Sequence, residues 1–280
     1  MSLPDVYDVM RRIDRCKSEP NKMYMRAEFE FCARGIELAG HLTSTDRKRH
    51  TEPYGPTGKD VFVTEIKHAP IPVEDMCDLI LTALTDPEQA KKELANLRKK
   101  IPVAVFKVRI AKQHLDKGEA YPYRLIALPL DSKCDPWSQS LLDWWHDAGD
   151  HLVFDFNRQD NWEYITRKDP IFDGLTYKIK KYHYFPNGEI TEDPKACLAH
   201  PRLYKCHAIR HSRADQLIKQ YGFDGYDMAS FVGWSMGSAN KVSAGPAQAG
   251  NYAELREAWQ RPIYKLCVPF DYQAFGATQA

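Results

Sequence analysis

The stretch "CHAIRHSRADQLIK", Cys206 to Lys219, decides how the rest of the chain is read. Its apolar positions Ile209, Leu217 and Ile218 recur at helical spacing, so it is read as a helix with one side against a core. On that helix His207, Arg210 and His211 stand at i, i+3 and i+4 and share a face. Cations gathered beside an apolar core are costly unless an anion meets them. The stretch therefore points to an anionic partner, although an HxxR spacing alone recurs by chance in many surface helices.

The whole chain does not repeat this local excess. Its 280 residues carry a formal net charge of +1, so any polyanion must be met by local clusters rather than by an overall field. With 43% hydrophobic residues the chain is long enough to bury a sizeable core. No uninterrupted apolar run of about 18 residues occurs, which excludes an obvious membrane helix, and the charged opening segment lacks a secretory signal pattern. Seven cysteines, at 16, 32, 77, 134, 197, 206 and 267, form no close, even framework of a secreted disulfide scaffold. A reducing, cytoplasmic setting without membrane contact is expected.

Outward from the central stretch, residues 3–20 and 22–43 both show helical spacing, separated by "SEPN". The run "RKRHTEPYGPTGKD" (47–60) has loop chemistry and is followed by the short apolar piece "VFVTEI". The segment from Pro72 to Lys100 reads as two helices split at Asp86-Pro87. Residues 47–100 are together taken as an insertion. "VAVFKVRI" (103–110) and "YRLIALPL" (123–130) read as the strands of a β-hairpin joined by the turn-rich "HLDKGEA". "WSQSLLDWWHD" (137–147) is a helix with Trp137, Leu141, Leu142 and Trp145 on one face. "HLVFDF" (151–156) is a short buried run. In "GLTYKIKKYHYF" (174–185), Lys178, Lys180 and Lys181 interleave with tyrosines; on a helix these lysines suit a nucleic-acid backbone or simply a solvated face. "SAGPAQAG" (243–250) reads as a linker.

What flanks the central stretch carries a resemblance. "HAIRHSRADQLIKQYGFDGYDMASFVGWS" (207–235) resembles the tyrosine recombinases, or phage-type integrases, from their His-x-x-Arg box through a helix ending in a Gly-Phe turn to a Gly-His or Gly-Trp pair, here Gly233-Trp234. "FEFCARGIELAGHLTSTD" (29–46) resembles the family's first box, with Arg34 and Glu37 in its arginine and acidic places. "YAELREAWQRPIYKL" (252–266) is similar to the ending of archaeal-type integrases, with Tyr252 as the family's tyrosine and Tyr264 in a packing position. The resemblance runs in family order over nearly the whole chain. It implies a mainly α fold with a small antiparallel β-sheet (α+β), the catalytic-domain fold of tyrosine recombinases, as a single domain over 1–280.

The resemblance also implies a chemistry. Arg34 and Arg210 would clamp the non-bridging oxygens of a scissile phosphodiester, since guanidinium forks donate bidentate hydrogen bonds and never deprotonate. Glu37 would orient Arg34, His207 would contact the phosphate or the nucleophile's proton, and the Trp234 indole N–H would donate to the phosphate. A hairpin lysine, Lys112 in preference to Lys117, would protonate the leaving 5′-oxygen. Tyr252 would form the 3′-phosphotyrosyl bond. Arg213, Lys178, Lys180 and Lys181 would touch the DNA backbone. The implied protein is a metal-independent DNA strand transferase without cofactor that oligomerises on double-stranded DNA, cytoplasmic and nucleoid-associated, of the kind carried by mobile elements.

Two departures stand against the pattern. Tyr252 comes late, after "SMGSANKVSAGPAQAGN", which is either a tether that lets it swing in cis or into a neighbouring subunit, or a sign of lost activity. The helical core-binding domain expected before the catalytic one is missing, as in a fragment or a one-domain relative. Two other readings remain open: a non-catalytic, DNA-binding integrase remnant, and a zinc-stabilised binding module using Cys197, His200, Cys206 and His211.

Overall fold

The computed structural model describes residues 3–48, 55–66, 73–97, 100–111, 123–177, 182–184, 190–192, 202–204, 206–233 and 259–276. At its centre lies a three-stranded antiparallel sheet of β1 (Val61–Ile66), β2 (Ile101–Arg109) and β3 (Tyr123–Pro129), in the order β1-β2-β3. The expected hairpin is present as β2–β3, with Phe106 opposite Ile126 and Val108 opposite Arg124. β2 is central and covered on both faces, so Val103 to Phe106 are all buried and the alternation read from its sequence holds only from Lys107 onward.

The helical layers pack on this sheet. α1 (Val6–Asp14) starts from Asp5, whose carboxylate accepts the Tyr7 and Asp8 amides. α2 (Glu19–Glu30), with Pro20 in its first turn, is buried on opposite sides: Met23, Tyr24 and Ala27 join the sheet-side core, while Met25 and Phe29 face a second cluster with Val9, Ile13 and Trp137. The short α3 (Gly35–Leu38) follows it. The helix read at 137–147 is α6 (Ser138–Ala148), and all four residues assigned to its inner face are buried. α8 (Cys206–Lys219) is the central stretch of the sequence; after it come α9 (Gly225–Val232), α10 (Gln260–Leu266) and α11 (Tyr272–Gly276). Tyr264, on α10, packs against the sheet-side core. The described residues thus form eleven α-helices and a small antiparallel sheet, an α+β architecture.

Within the segment 47–100 read as an insertion, β1 belongs to the sheet, and Gly55 lies so close to Gly40 that a Cβ there would stand 2.5 Å from the Gly40 Cα. The paired α4 (Val73–Thr85) and α5 (Pro87–Leu97) lie between β1 and β2 in the chain, and α4 leaves Ile80, Leu81 and Leu84 exposed. One expectation changes. The stretch 174–185 is not read correctly as a helix at its ends, where β4 (Thr176–Tyr177) and β5 (Tyr182–Tyr184) are strands. These pair with β7 (Arg202–Leu203) and β6 (Ile190–Glu192), respectively. Aromatic residues alternating with lysines satisfy both periods over so short a run, and pairing with β6 and β7 decides the outcome. The linker at 243–250 lies outside the described residues.

Candidate functional site

The site forms where α2 ends. Ala27 and Phe29 carbonyls close its last turn, and Cys32 then takes a left-handed conformation, φ 46°, unusual for a residue with a Cβ. That turn aims the Cys32 carbonyl at α8, where it accepts a hydrogen bond from Arg210 Nη1, while the Cys32 thiol donates to the Arg210 carbonyl at 3.3 Å. Arg210 Nη2 donates to the Val232 carbonyl at 3.1 Å. Two residues past Cys32, Arg34 caps α3 and Glu37 lies in its only turn.

Glu37 joins the pieces. Its Oε1 accepts from Arg34 Nη1 at 2.8 Å and from the Ala111 amide at 3.3 Å. Its Oε2 accepts from the Arg34 amide at 3.0 Å and from Arg124 Nη2 at 3.1 Å, with Arg210 Nη1 3.7 Å away. Burial pushes this carboxyl up, but Arg124, Arg210 and Arg34 reverse the effect and hold it at about 2. Three guanidiniums around one carboxylate leave a local excess of positive charge.

Arg124, which the sequence reading did not single out, is a full member of this cluster. It projects from β3, is fully buried, and donates Nε to the Phe231 carbonyl at 2.9 Å. A lone arginine inside the apolar strand "YRLIALPL" was the available signal. Gly233 ends α9 at φ 69° beside it, where a Cβ would stand 3.3 Å from Arg124 Cδ.

A cavity of about 560 Å³ opens beside the cluster. Arg34 and His207 line it, together with Glu28 and Tyr24 of α2, Cys206 of α8 and Trp162 of α7 (Arg158–Glu163). Arg158, also in its wall, is held by both oxygens of Asp46 at 2.9 and 3.0 Å. Glu28 is the exception among these polar groups: it is buried, and its Oε2 has no hydrogen-bond partner among the described residues. Burial pushes its carboxyl well above the usual carboxylate range, with Arg210 opposing and Glu37 adding to the rise.

The expected site residues divide clearly. Arg34, Glu37 and Arg210 are brought together, and of these Arg34 lines the cavity with His207. His207 also packs edge-on against His211 at 4.7 Å; burial and then Arg210 push His211 below the ordinary histidine value. The common face read for His207, Arg210 and His211 splits in depth, since Arg210 is 4% exposed while His207 is open to solvent. Arg213 is a correction. Assigned to DNA contact, it is 3% exposed, ion-paired with Glu30, bonded to Gln216 and set over the Phe29 ring, so it has no surface to offer a phosphate. Its place on the inner side of α8 follows from the apolar face of α2 that it packs against. Lys112, Lys117, Lys178, Lys180, Lys181, Trp234 and Tyr252 lie outside the described residues, as do Cys197 and His200 of the zinc reading. Cys206 accepts a hydrogen bond from Asn161 Nδ2 at 3.7 Å, and burial pushes its thiol far up.

No family model, curated protein or solved structure matches the chain. No helix among the described residues is long and apolar enough to cross a membrane.

Proposed function

We propose that the chain is a tyrosine-recombinase-type DNA strand transferase that cleaves and rejoins duplex DNA through a 3′-phosphotyrosyl intermediate. One observation carries this reading. Arg34, Arg124 and Arg210 converge on the single ionised carboxylate of Glu37, leaving a preorganised cationic excess where Arg34 and His207 meet the open cavity. A phosphodiester on its way to a pentacoordinate state gains charge on its non-bridging oxygens, and fixed guanidiniums stabilise that charge without reorganising. Arg34 would contribute most directly, because one of its N–H groups is fixed by Glu37 while a fifth of the side chain stays accessible. Arg124 and Arg210 act from beneath, through their charge.

In this mechanism the Tyr252 hydroxyl gives its proton to His207 as its oxygen attacks phosphorus, the bond to the 5′-oxygen breaks, and Lys112 or Lys117 delivers the proton that the leaving oxygen takes up. The arginines and lysine supply the positive charge, so no divalent metal is required. Oligomerisation on DNA and a cytoplasmic, nucleoid-associated setting belong to the same reading.

The test is covalent trapping on a nicked duplex in EDTA. The expected result is an adduct stable to SDS, present in the native protein and absent from Tyr252→Phe, with DNA binding retained in both. Trapping that survives Tyr252→Phe but not Tyr264→Phe would move the nucleophile. Activity that disappears in EDTA and returns with zinc or magnesium would refute the mechanism.

A further inference from the structure

The clamp accounts for Arg34 and His207 at the mouth of the cavity but not for its interior. At about 560 Å³ the space falls within the range of small-molecule pockets, roughly 300–1,000 Å³. Its polar walls are largely occupied: Arg158 and Asp46 hold each other, and the Tyr24 hydroxyl donates to the Gly35 carbonyl. What remains is an aromatic wall, Trp162, and a buried carboxyl, Glu28, whose Oε2 meets no donor or acceptor among the described residues. An unsatisfied buried polar atom on a residue that lines a roomy cavity asks for a ligand group of matching pattern.

We propose that this cavity is a nucleotide subsite, in which Trp162 stacks a base whose amino and ring-nitrogen edge, that of adenine or cytosine, meets the Glu28 carboxyl, while Arg34 and His207 hold the attached phosphate at the mouth. The inference rests on the phosphate-clamp reading above. A base taken out of the helical stack is recognised by stacking against an aromatic side chain and by hydrogen bonds to its pairing edge. Glu28 fixes which edge. Burial favours the neutral form of this carboxyl, and a neutral carboxyl offers one donor and one acceptor. Adenine and cytosine present an amino donor beside a ring-nitrogen acceptor and complete both bonds. Guanine presents two donors on the corresponding edge and suits a carboxylate instead.

The test is titration calorimetry of the intact chain at pH 7 with inorganic phosphate, 5′-dAMP, 5′-dCMP and 5′-dGMP. The expected result is that dAMP or dCMP binds about tenfold or more tighter than phosphate and tighter than dGMP, in line with the worth of one stacked base. Trp162→Ala and Glu28→Leu are expected to reduce the nucleotide to the affinity of phosphate while leaving phosphate binding unchanged. Glu28→Gln is expected to retain the preference, because an amide keeps one donor and one acceptor. Trp162→Ala guards against a folding failure of Glu28→Leu. Nucleotides that bind no tighter than phosphate would overturn the subsite and leave the clamp standing; loss of all phosphate and nucleotide binding would overturn both. Equal losses in Glu28→Gln and Glu28→Leu would also overturn the proposal. A duplex with one unpaired adenine, set against a fully paired one, identifies the source. Tighter binding of the former, lost in Trp162→Ala, assigns the subsite to a nucleotide unstacked from DNA, and no difference assigns it to a free nucleotide.

Discussion

Glu28 and Glu37 stand on either side of the turn that ends α2, and both are 1% exposed. Removal from water penalises the two carboxylates alike, yet they end in opposite states. Around Glu37, three guanidiniums and two backbone amides hold the anion, and its value falls to about 2. Around Glu28, Arg210 acts only through its charge and no donor reaches Oε2, so burial prevails. The number of N–H groups within hydrogen-bond reach, rather than depth, decides whether a buried carboxylate stays charged. One region is thereby a cross-linked base for the arginines; the other is a buried carboxyl in the wall of the cavity.

The strongest way to break this comparison is Glu37→Gln, which leaves Arg124 and Arg210 as buried cations bonded mainly to carbonyls. Removing one side of a buried ion pair costs about 3–5 kcal/mol, and the upper end is expected here because several cations lose the same partner. Urea denaturation at pH 7 measures it. A loss below about 1 kcal/mol would mean that the carbonyls alone satisfy the guanidiniums. Arg34→Ala tests the exposed end of the same cluster. It is expected to change stability little but to slow covalent trapping about 100- to 1,000-fold, the usual effect of losing one preorganised donor. A rate within a factor of a few of the native one would remove Arg34 from the clamp.

The pH dependence of stability separates the two carboxylates further, because their shifts have opposite signs. The folded value of Glu37 lies below its ordinary 4.5, so its contribution is present above about pH 4.5 and lost as pH falls toward 2, about 3 kcal/mol in all. The gap between the native protein and Glu37→Gln should close over that interval. The folded value of Glu28 is raised, so its contribution is full below about 4.5 and is lost as pH climbs toward the folded value. Glu28→Gln, which cannot ionise, is expected to gain on the native protein as pH rises. Parallel stability curves for the native protein and Glu28→Gln would show that Glu28 ionises freely.

Much of this was legible in the sequence. Helical faces and the hairpin follow from local periodicity, and the resemblance points to Arg34, Glu37 and Arg210. Depth was not legible. Arg213 and Arg210 are three residues apart on one helix, and both read as cations awaiting phosphate, but both are buried: Glu30 of α2 absorbs Arg213 through a contact 183 residues away in the chain, and the Cys32 and Val232 carbonyls take the terminal nitrogens of Arg210. Arg124 and Glu28 were missed for the converse reason. A charge inside an apolar run is ambiguous between an exposed edge and a buried partner until the opposing element is known, and those elements are Glu37 for Arg124 and an open cavity for Glu28. The pairing of strand β1 with β2 is not legible either, because it spans the whole of α4 and α5.

The smallest effect is expected from Gly233→Ala, and it sharpens the comparison most selectively. Gly233 closes α9 in the left-handed conformation, where an L side chain costs about 1 kcal/mol. The new Cβ would also stand 3.3 Å from Arg124 Cδ and 3.4 Å from its Nη1, so the guanidinium must shift by a few tenths of an ångström. That shift loosens the bond from Arg124 to Glu37 and leaves Glu28, on the far side of the α2 turn, untouched. Stability at pH 7 should fall by about 1–2 kcal/mol. The acid limb should move to higher pH, because a less tightly held Glu37 carboxylate accepts its proton sooner, while the limb of falling stability set by Glu28 as pH rises stays in place. Movement of both limbs together would show that the two carboxylates are coupled through the turn between them, and the contrast between the two regions would then be one of degree.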